Sequence, residues 1–369
     1  MRRPWQIGGR MLALGALLLT GCPGPKLPPS IERTPKTREL LLPAKGAYAG
    51  AYIDFGEHED GVTLEAIEDF EKLVGKKQAI VASSSYWGEQ SFPTDNVNII
   101  ARNGAVPLIF WSPWDRPYKE AAGPDQYSLT SILEGKHDAY IDRWADQARD
   151  FGEPLLVSFA NEPNGNWFPW SGFFYGGGKV MPNTELEDTR YEGPETYKRA
   201  YRYVVDRVRE RGARNVKWVL HLMNYPYPTD LWNQAEQYYP GPEYCDWLGM
   251  SVYGPQYAKD KWGTFVPLFD WPYRQLAQLD PSKPIMVVEW GVAEAKSGDE
   301  KSGWIRQAFD AMKDPKYARL KAIVFWHERW QNEDTSYSNL RVNSSPESLR
   351  AYREGIADPY WLDRPIWKK

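Results

Sequence analysis

The sequence predicts an α/β chain of the (β/α)8, or TIM barrel, class. Three observations point there. Eight short apolar runs alternate with amphipathic stretches of helical period between Gly46 and Ile356. The runs are continuously apolar, the pattern of parallel strands covered on both faces, rather than alternating as in a half-exposed sheet. The first run leads into Asp54-Phe55-Gly56-Glu57, and not into the glycine-rich phosphate turn that follows the first strand of many doubly wound open sheets. Eight such βα units with inserted loops fit a closed barrel.

Taken in order, GAYAGAYI (46–53) is the first strand, and TLEAIEDFEKLVG (63–75) has apolar residues at helical spacing. QAIVAS (78–83) is strand-like, and NVNIIARNG (96–104) is helical with a glycine stop. The strand VPLIFW (106–111) precedes the helix at 137–152, and PLLVSFAN (154–161) precedes the helix at 193–212. NVKWVLHLMN (215–224) and CDWLGMSVY (245–253) are strands five and six; between them TDLWNQAEQYYPG offers at most a short helix. A helix at 264–279, the strand KPIMVVEWG (283–291), a helix at 300–314, the strand KAIVFWHE (321–328) and a helix at 345–356 complete the alternation.

The N-terminal residues do not fit this pattern. Arg2, Arg3 and Arg10 precede an apolar run, Met11–Leu19, that is too short to span a bilayer and has the form of a signal-peptide core. It ends in Leu19-Thr20-Gly21-Cys22, which resembles a bacterial lipobox. That resemblance implies a signal peptide over 1–21, lipid on Cys22 and a bacterial cell-envelope location, anchored to the membrane. Residues 22–43 are proline-rich and scattered with charge, as in an extended tether, which leaves 44–369 as the barrel domain. Cys245 alone then remains, so an intrachain disulfide is excluded, and a buried thiol is expected.

Composition narrows the function. A net charge of −4 without a long basic run gives no reason to expect nucleic acid. Four histidines without His-x-x-x-His spacing give no zinc motif, and no metal or organic cofactor is expected. Eighteen tryptophans and 23 tyrosines are a surplus of flat apolar plates with polar edges, matched to the CH faces and polar rims of sugars. The chain is read as a monomer.

Barrel chemistry sits at the carboxyl ends of the strands. Those ends present Asp54 and His58; Tyr86 and Trp87; Trp111, Trp114 and Asp115; Asn161 and Glu162; His221 and Asn224; Tyr253; Glu289 and Trp290; and Trp326, His327 and Glu328. Cations are sparse there, with Arg116 and Arg329 the exceptions. The long loop after strand four adds Trp170 and Tyr175 as a cleft wall. Glu162 and Glu289 end strands four and seven, which face each other across a barrel mouth. Two carboxyl groups so placed suit glycoside hydrolysis, in which one protonates the leaving oxygen and the other attacks or activates water. Asp54, His58, Asp115 and Glu328 are further rim candidates, with capping or salt bridging as the alternative.

The stretches NEPNGNWFPWSG and PIMVVEWG resemble the strand-four and strand-seven motifs of the retaining barrel glycosidases. Together with GAYAGAY, YWGEQSFPTDNVNIIARNGAVPLIFWSPW, YYPGPEYCDWLGMSVYG and NLRVNSSPESLRAYREG, they resemble glycoside hydrolase family 26, the β-mannanase and lichenase family, over nearly all of 45–356. The resemblance implies Glu162 as acid/base, Glu289 as nucleophile, Tyr253 as the group that orients the nucleophile, and Trp167 and Trp326 as sugar platforms. It also implies that Asn161 reads the 2-hydroxyl of the sugar. Mannanases of the family usually carry His-Glu-Met-Asn where this chain has Asn161-Glu162-Pro163-Asn164. Trp87, Trp111 and Trp170 are expected to add to the substrate surface. A β-1,4-mannan or mixed-linkage β-1,3-1,4-glucan is the expected polymer, with β-1,3-xylan and a self-made exopolysaccharide also open, and a catalytically inactive glycan-binding barrel as the alternative function.

Overall fold

The computed structural model describes residues 38–56, 61–115, 123–182, 189–257, 259–294, 299–332 and 334–368. Eight parallel strands form one sheet: β1 Ala47–Ile53, β2 Ile80–Tyr86, β3 Val106–Ser112, β4 Leu155–Phe159, β5 Val216–Met223, β6 Trp247–Tyr253, β7 Ile285–Gly291 and β8 Leu320–His327. They pair in sequence order, and β8 pairs with β1 from Tyr48↔Ala322 to Ile53↔His327, closing the barrel. The helices are α1 Leu64–Val74, α2 Thr94–Arg102, α3 Leu129–Leu133, α4 Asp138–Phe151, α5 Glu192–Glu210, α6 Phe265–Leu279, α7 Asp299–Met312 and α8 Pro346–Ile356.

Local chemistry fixes the ends of these elements. Thr63 Oγ1 accepts the Ala66 N–H at the start of α1, and Gly75 closes that helix with φ +76°, a left-handed cap that costs glycine no Cβ clash. Between those caps, Ile67, Phe70 and Val74 form the buried stripe. Ser345 caps α8 ahead of Pro346, where the missing N–H is harmless. The expected short helix between β5 and β6 is two 3₁₀ turns, Leu231–Asn233 and Ala235–Tyr238.

Three features depart from the sequence reading. The segment expected to be tether up to Pro43 is already part of the body at Leu40, which bridges to Trp367, while the Leu41 N–H donates to Ile366 O. A short strand, β11 Trp361–Leu362, pairs with β1 below the barrel, and its Trp361 is buried against Phe309. After β8 a two-stranded hairpin, β9 Arg329–Gln331 and β10 Tyr337–Asn339, rises at the rim, with the Arg329 guanidinium 3.6 Å from the Tyr337 ring centre.

Side-chain alternation along each strand decides what faces the barrel interior. Ser84, Phe110 and Ser158 are in register across β2, β3 and β4. Tyr52 opposes and stacks on Trp326 across β1 and β8, with ring centres 3.9 Å apart. Residues of the opposite parity point outward: Trp111, next to Phe110, stacks on Trp144 of α4, and Trp290, next to Glu289, packs against Trp304, Phe309 and Tyr352.

Candidate active site

An open cleft of about 1200 Å³ lies at the carboxyl ends of the strands. Asn161, Glu162, Trp167, Tyr253, Glu289 and Trp326 all line it. An oxygen of Glu162 and one of Glu289 lie within 4.8 Å of each other, in a site where both carboxyl groups are buried.

The two acids are held by different means. β4 stops at Phe159, and the chain then turns through Ala160 and Glu162 with φ of +48° and +53°. Left-handed backbone in residues other than glycine costs on the order of 1–3 kcal/mol and persists only where surrounding bonds enforce it. Here the Ala160 N–H donates to Trp111 O at 3.2 Å and the Glu162 N–H to His221 O at 2.8 Å. The Trp170 indole N–H donates to Asn161 O at 2.6 Å. Glu289, by contrast, sits inside β7. The pairing of β6 with β7 slips by one residue, so that Met250 opposes Val287 but Ser251 opposes Glu289. Such a bulge re-aims the side chains after it, and here it places Ser251 and Glu289 side by side.

Burial pushes the Glu162 pKa upward, against the hydrogen bonds that Ser251 Oγ donates to its Oε1 and Trp167 Nε1 to its Oε2. Glu289 Oε2 accepts the Tyr253 phenol at 2.7 Å. Burial and then the neighbouring Glu289 charge raise the Tyr253 pKa well above its usual value, so the phenol keeps its proton. Below the pair lies His221, fully buried, with Nδ1 3.1 Å from Ser158 Oγ, Nε2 2.8 Å from Ser251 Oγ and Nε2 4.0 Å from Glu289 Oε1. Burial pushes its pKa down to about 3, which keeps the ring neutral.

Glu162, His221 and Glu289 are the one group among the described residues whose atoms could converge on a metal ion. Both ring nitrogens of His221 already bond to serine hydroxyls, and both oxygens of Glu162 and Oε2 of Glu289 accept protein donors. The cluster is therefore built as a hydrogen-bonded acid pair.

Three expected substrate contacts are corrected. Trp87, Trp111 and Trp170 have 0%, 0% and 1% exposure and lie outside the cleft lining. Trp87 and Trp111 belong to an aromatic core with Tyr140, Trp144 and Phe159, because odd and even residues of β3 face opposite sides and Phe110 takes the inward one. Trp170 lies under the cleft floor, stacked on Phe168 at 4.6 Å. Tyr175 is likewise support: its hydroxyl accepts from Leu129 N and donates to Pro169 O.

The rim candidates divide. Asp54 lines the cleft but is ion-paired with Arg341, and Glu328 lines it while accepting the Trp326 indole N–H at 2.6 Å. Tyr86, Trp114, Asn224 and Arg329 also line it. Asp115 is outside the lining and accepts from Gln126, and His327 is buried against Phe70 with its Nδ1 accepting the Val342 N–H. Cys22, His58 and Arg116 lie outside the described residues. Sequence reasoning missed Ser251, Phe110, Ser84, Phe168, Trp330 and Arg341. Counting back in twos from Tyr253 reaches Ser251, so strand parity carried that signal; Trp330 and Arg341 sit in and just beyond a hairpin that nothing in the apolar pattern announces.

Residues 126–295 match the sequence pattern of glycosyl hydrolase family 26. The chain belongs to that family. Among its relatives, Endoglucanase H of Acetivibrio thermocellus is 32% identical over 298 residues, covering 79% of this chain and 29% of that one. A mannan endo-1,4-beta-mannosidase of Bacillus subtilis is 28% identical over 291 residues, covering 77% and 65%. This family 26 chain therefore spans less than two thirds of the length of either. The catalytic domain of a Bacillus sp. JAMB-750 endo-beta-1,4-mannanase superposes with a TM-score of 0.61 at 20% identity, covering 86% and 87%. That likeness establishes the shared barrel.

Proposed function

We propose that this family 26 chain is a retaining endo-β-glycanase, with Glu162 as acid/base and Glu289 as nucleophile. The observation that carries the reading is the approach of the two carboxyl groups to within 4.8 Å at the floor of one cleft. Retaining glycosidases hold their carboxyl groups about 5–5.5 Å apart, and inverting ones need about 6.5–9.5 Å to admit a water.

In the first step Glu162 gives its proton to the glycosidic oxygen while a Glu289 oxygen attacks the anomeric carbon from the opposite face. The glycosidic bond breaks, and an ester between Glu289 and the sugar remains. In the second step the ionised Glu162 takes a proton from water, the water oxygen attacks the same carbon, and Glu289 leaves as carboxylate. The raised pKa of Glu162 suits the first role. The Tyr253 hydroxyl stabilises Glu289 as an anion and aims it.

The cleft carries Asp54, Glu162, Asp260, Glu289 and Glu328 against Arg329 and Arg341. This excess of acid favours a neutral polymer over an anionic one. Asn161 in place of histidine, together with the relative named Endoglucanase H, supports a β-1,3-1,4-glucan first and β-1,4-mannan second. The protein is expected to act as a monomer, held at the bacterial envelope by lipid on Cys22. Labelling with a fatty-acid probe that is lost in Cys22→Ala tests the anchor, and light scattering tests the oligomeric state.

A panel of soluble polysaccharides with product analysis tests the activity. Oligosaccharides appearing from the interior of β-glucan or β-mannan, with the β-anomer formed first, are the expected result. Binding without hydrolysis would replace the enzyme by a glycan-binding barrel.

A further inference from the structure

His221 touches the machinery of both glutamates, yet neither chemical step consumes or supplies a proton there. A hydroxyl has one proton to donate. Ser251 gives its proton to Glu162 Oε1, so at the 2.8 Å contact with His221 the serine oxygen must accept. The imidazole proton then sits on Nε2. The lone pair sits on Nδ1 and takes the Ser158 hydroxyl proton at 3.1 Å. The same Nε2–H lies 4.0 Å from Glu289 Oε1.

The double displacement keeps one negative charge on the glutamate pair throughout. Before attack Glu289 is ionised and Glu162 is protonated; in the intermediate Glu289 is esterified and Glu162 is ionised. A neutral donor that faces both can favour whichever carries the charge. A cation in its place would favour ionising both at once and would deprive the first step of its acid. The ring is fully buried and stays neutral, so it meets that requirement.

We propose that His221 is a positioning residue, held in the Nε2–H tautomer by Ser158, that serves Glu289 in the first step and, through Ser251, Glu162 in the second. With Oε1 of Glu162 kept as an acceptor, the transferable proton is confined to Oε2, the oxygen that also meets the Trp167 indole. The other ionisable groups described in this cleft are Tyr86, Tyr253 and Tyr257, Asp54, Asp260 and Glu328, and Arg329 and Arg341; Tyr253 bonds to Glu289, Glu328 to Trp326 and Asp54 to Arg341. The ring nitrogens bond to Ser158 and Ser251 instead.

The kinetic part of this inference rests on the glycanase reading; the tautomer does not. Nitrogen-15 NMR of histidine-labelled protein is expected to show His221 as Nε2–H from roughly pH 5 to 8, and again in an intermediate trapped with a 2-deoxy-2-fluoro glycoside. The His221 signals are assigned by their loss in His221→Phe or His221→Gln. His221→Phe is expected to lower kcat/KM on polymer by roughly 3- to 10-fold, the range for a hydrogen bond to a neutral group, since the ring bonds to Ser251 and its Nε2 lies 4.0 Å from Glu289 Oε1. It should also move the alkaline limb of the profile upward, since ionised Glu162 loses support. His221→Gln, whose amide can still donate to Ser251, is expected to recover most of the rate and the original limb. An Nδ1–H signature, or a His221→Phe protein that folds and keeps the wild-type rate and pH profile, would overturn the proposal. If wild-type protein cuts no polymer, the glycanase reading fails while the NMR result still decides the tautomer.

Discussion

Glu162 and Glu289 are the same residue type at the same end of the same barrel, and their surroundings differ in nearly every respect. Glu289 is held within a strand, paired with Ser251 on β6 where the register slips, and accepts the Tyr253 phenol. Glu162 stands on a turn with left-handed backbone, just past the end of β4, and its environment raises its pKa. The comparison teaches that role follows from setting. Ladder pairing fixes a nucleophile that must hit one carbon, whereas desolvation keeps a proton on the group that must first give one away. The proposed roles stand or fall on keeping the two settings distinct.

The largest effect is expected at the strand-held acid. Glu289→Ala should lower kcat on every substrate by on the order of 10⁴- to 10⁶-fold, the scale seen when a nucleophile is removed. Azide added to this variant should enter the vacated pocket and give the α-glycosyl azide. The corresponding Glu162→Ala product should be the β-azide, formed by attack on the glycosyl ester. Product NMR showing the same anomer from both variants would erase the distinction between the two carboxyl groups.

The turn-held acid comes next. Glu162→Gln should cost about 10²- to 10⁴-fold on polymer, the usual worth of a general acid. It should cost far less in the first step with an activated aryl glycoside, whose leaving group needs no proton. With its pKa raised, Glu162 loses the transferable proton only above the ordinary carboxylate range, so the wild-type alkaline limb belongs to it. A pre-steady-state burst on the aryl substrate and the disappearance of that limb in kcat/KM are the two readouts.

Tyr253→Phe removes one charge-assisted bond, and a loss of roughly 10- to 100-fold is expected. Because the phenol donates to Glu289 and not to Glu162, the alkaline limb should stay where it is. A shift of that limb in steady-state profiles would mean that the tyrosine serves the other carboxyl group.

The barrel was legible in the sequence because parallel strands covered on both faces leave an uninterrupted apolar signature, and all eight runs became strands. Glu162 and Glu289 could be picked out because each breaks such a run at its carboxyl end. The aromatic residues could not be sorted the same way. Trp111 and Phe110 are adjacent in the chain, yet one packs under α4 and the other faces the cleft, and only the phase of the alternation separates them. Ser251 escaped notice because its parity with Tyr253 marks a shared face and not a role; the role appears only where the bulge in β7 sets it against Glu289. Arg341 meets Asp54 across 287 residues of chain, a separation that no local pattern encodes.

The smallest effect concerns stability, and it tests the setting of Glu162 without any substrate. Its folded pKa lies above the ordinary value of 4.5. Between that value and the folded one, the native state holds a proton that the unfolded chain has released. Stability from this group therefore falls as pH rises through that interval and stays lower above it. Glutamine cannot ionise. Its carbonyl can take the Trp167 donor and its amide can donate to Ser251, at the cost of turning the serine hydroxyl toward His221. Glu162→Gln is accordingly expected to match wild type near pH 4 and to melt about 1–3 °C higher near pH 7, the shift that roughly 1 kcal/mol gives in a chain of this size. Calorimetric scans at both pH values check the sign. A variant less stable than wild type at pH 7, by the same margin as at pH 4, would show that the turn-held carboxyl is not strained by ionisation, and the contrast with Glu289 would lose its physical basis.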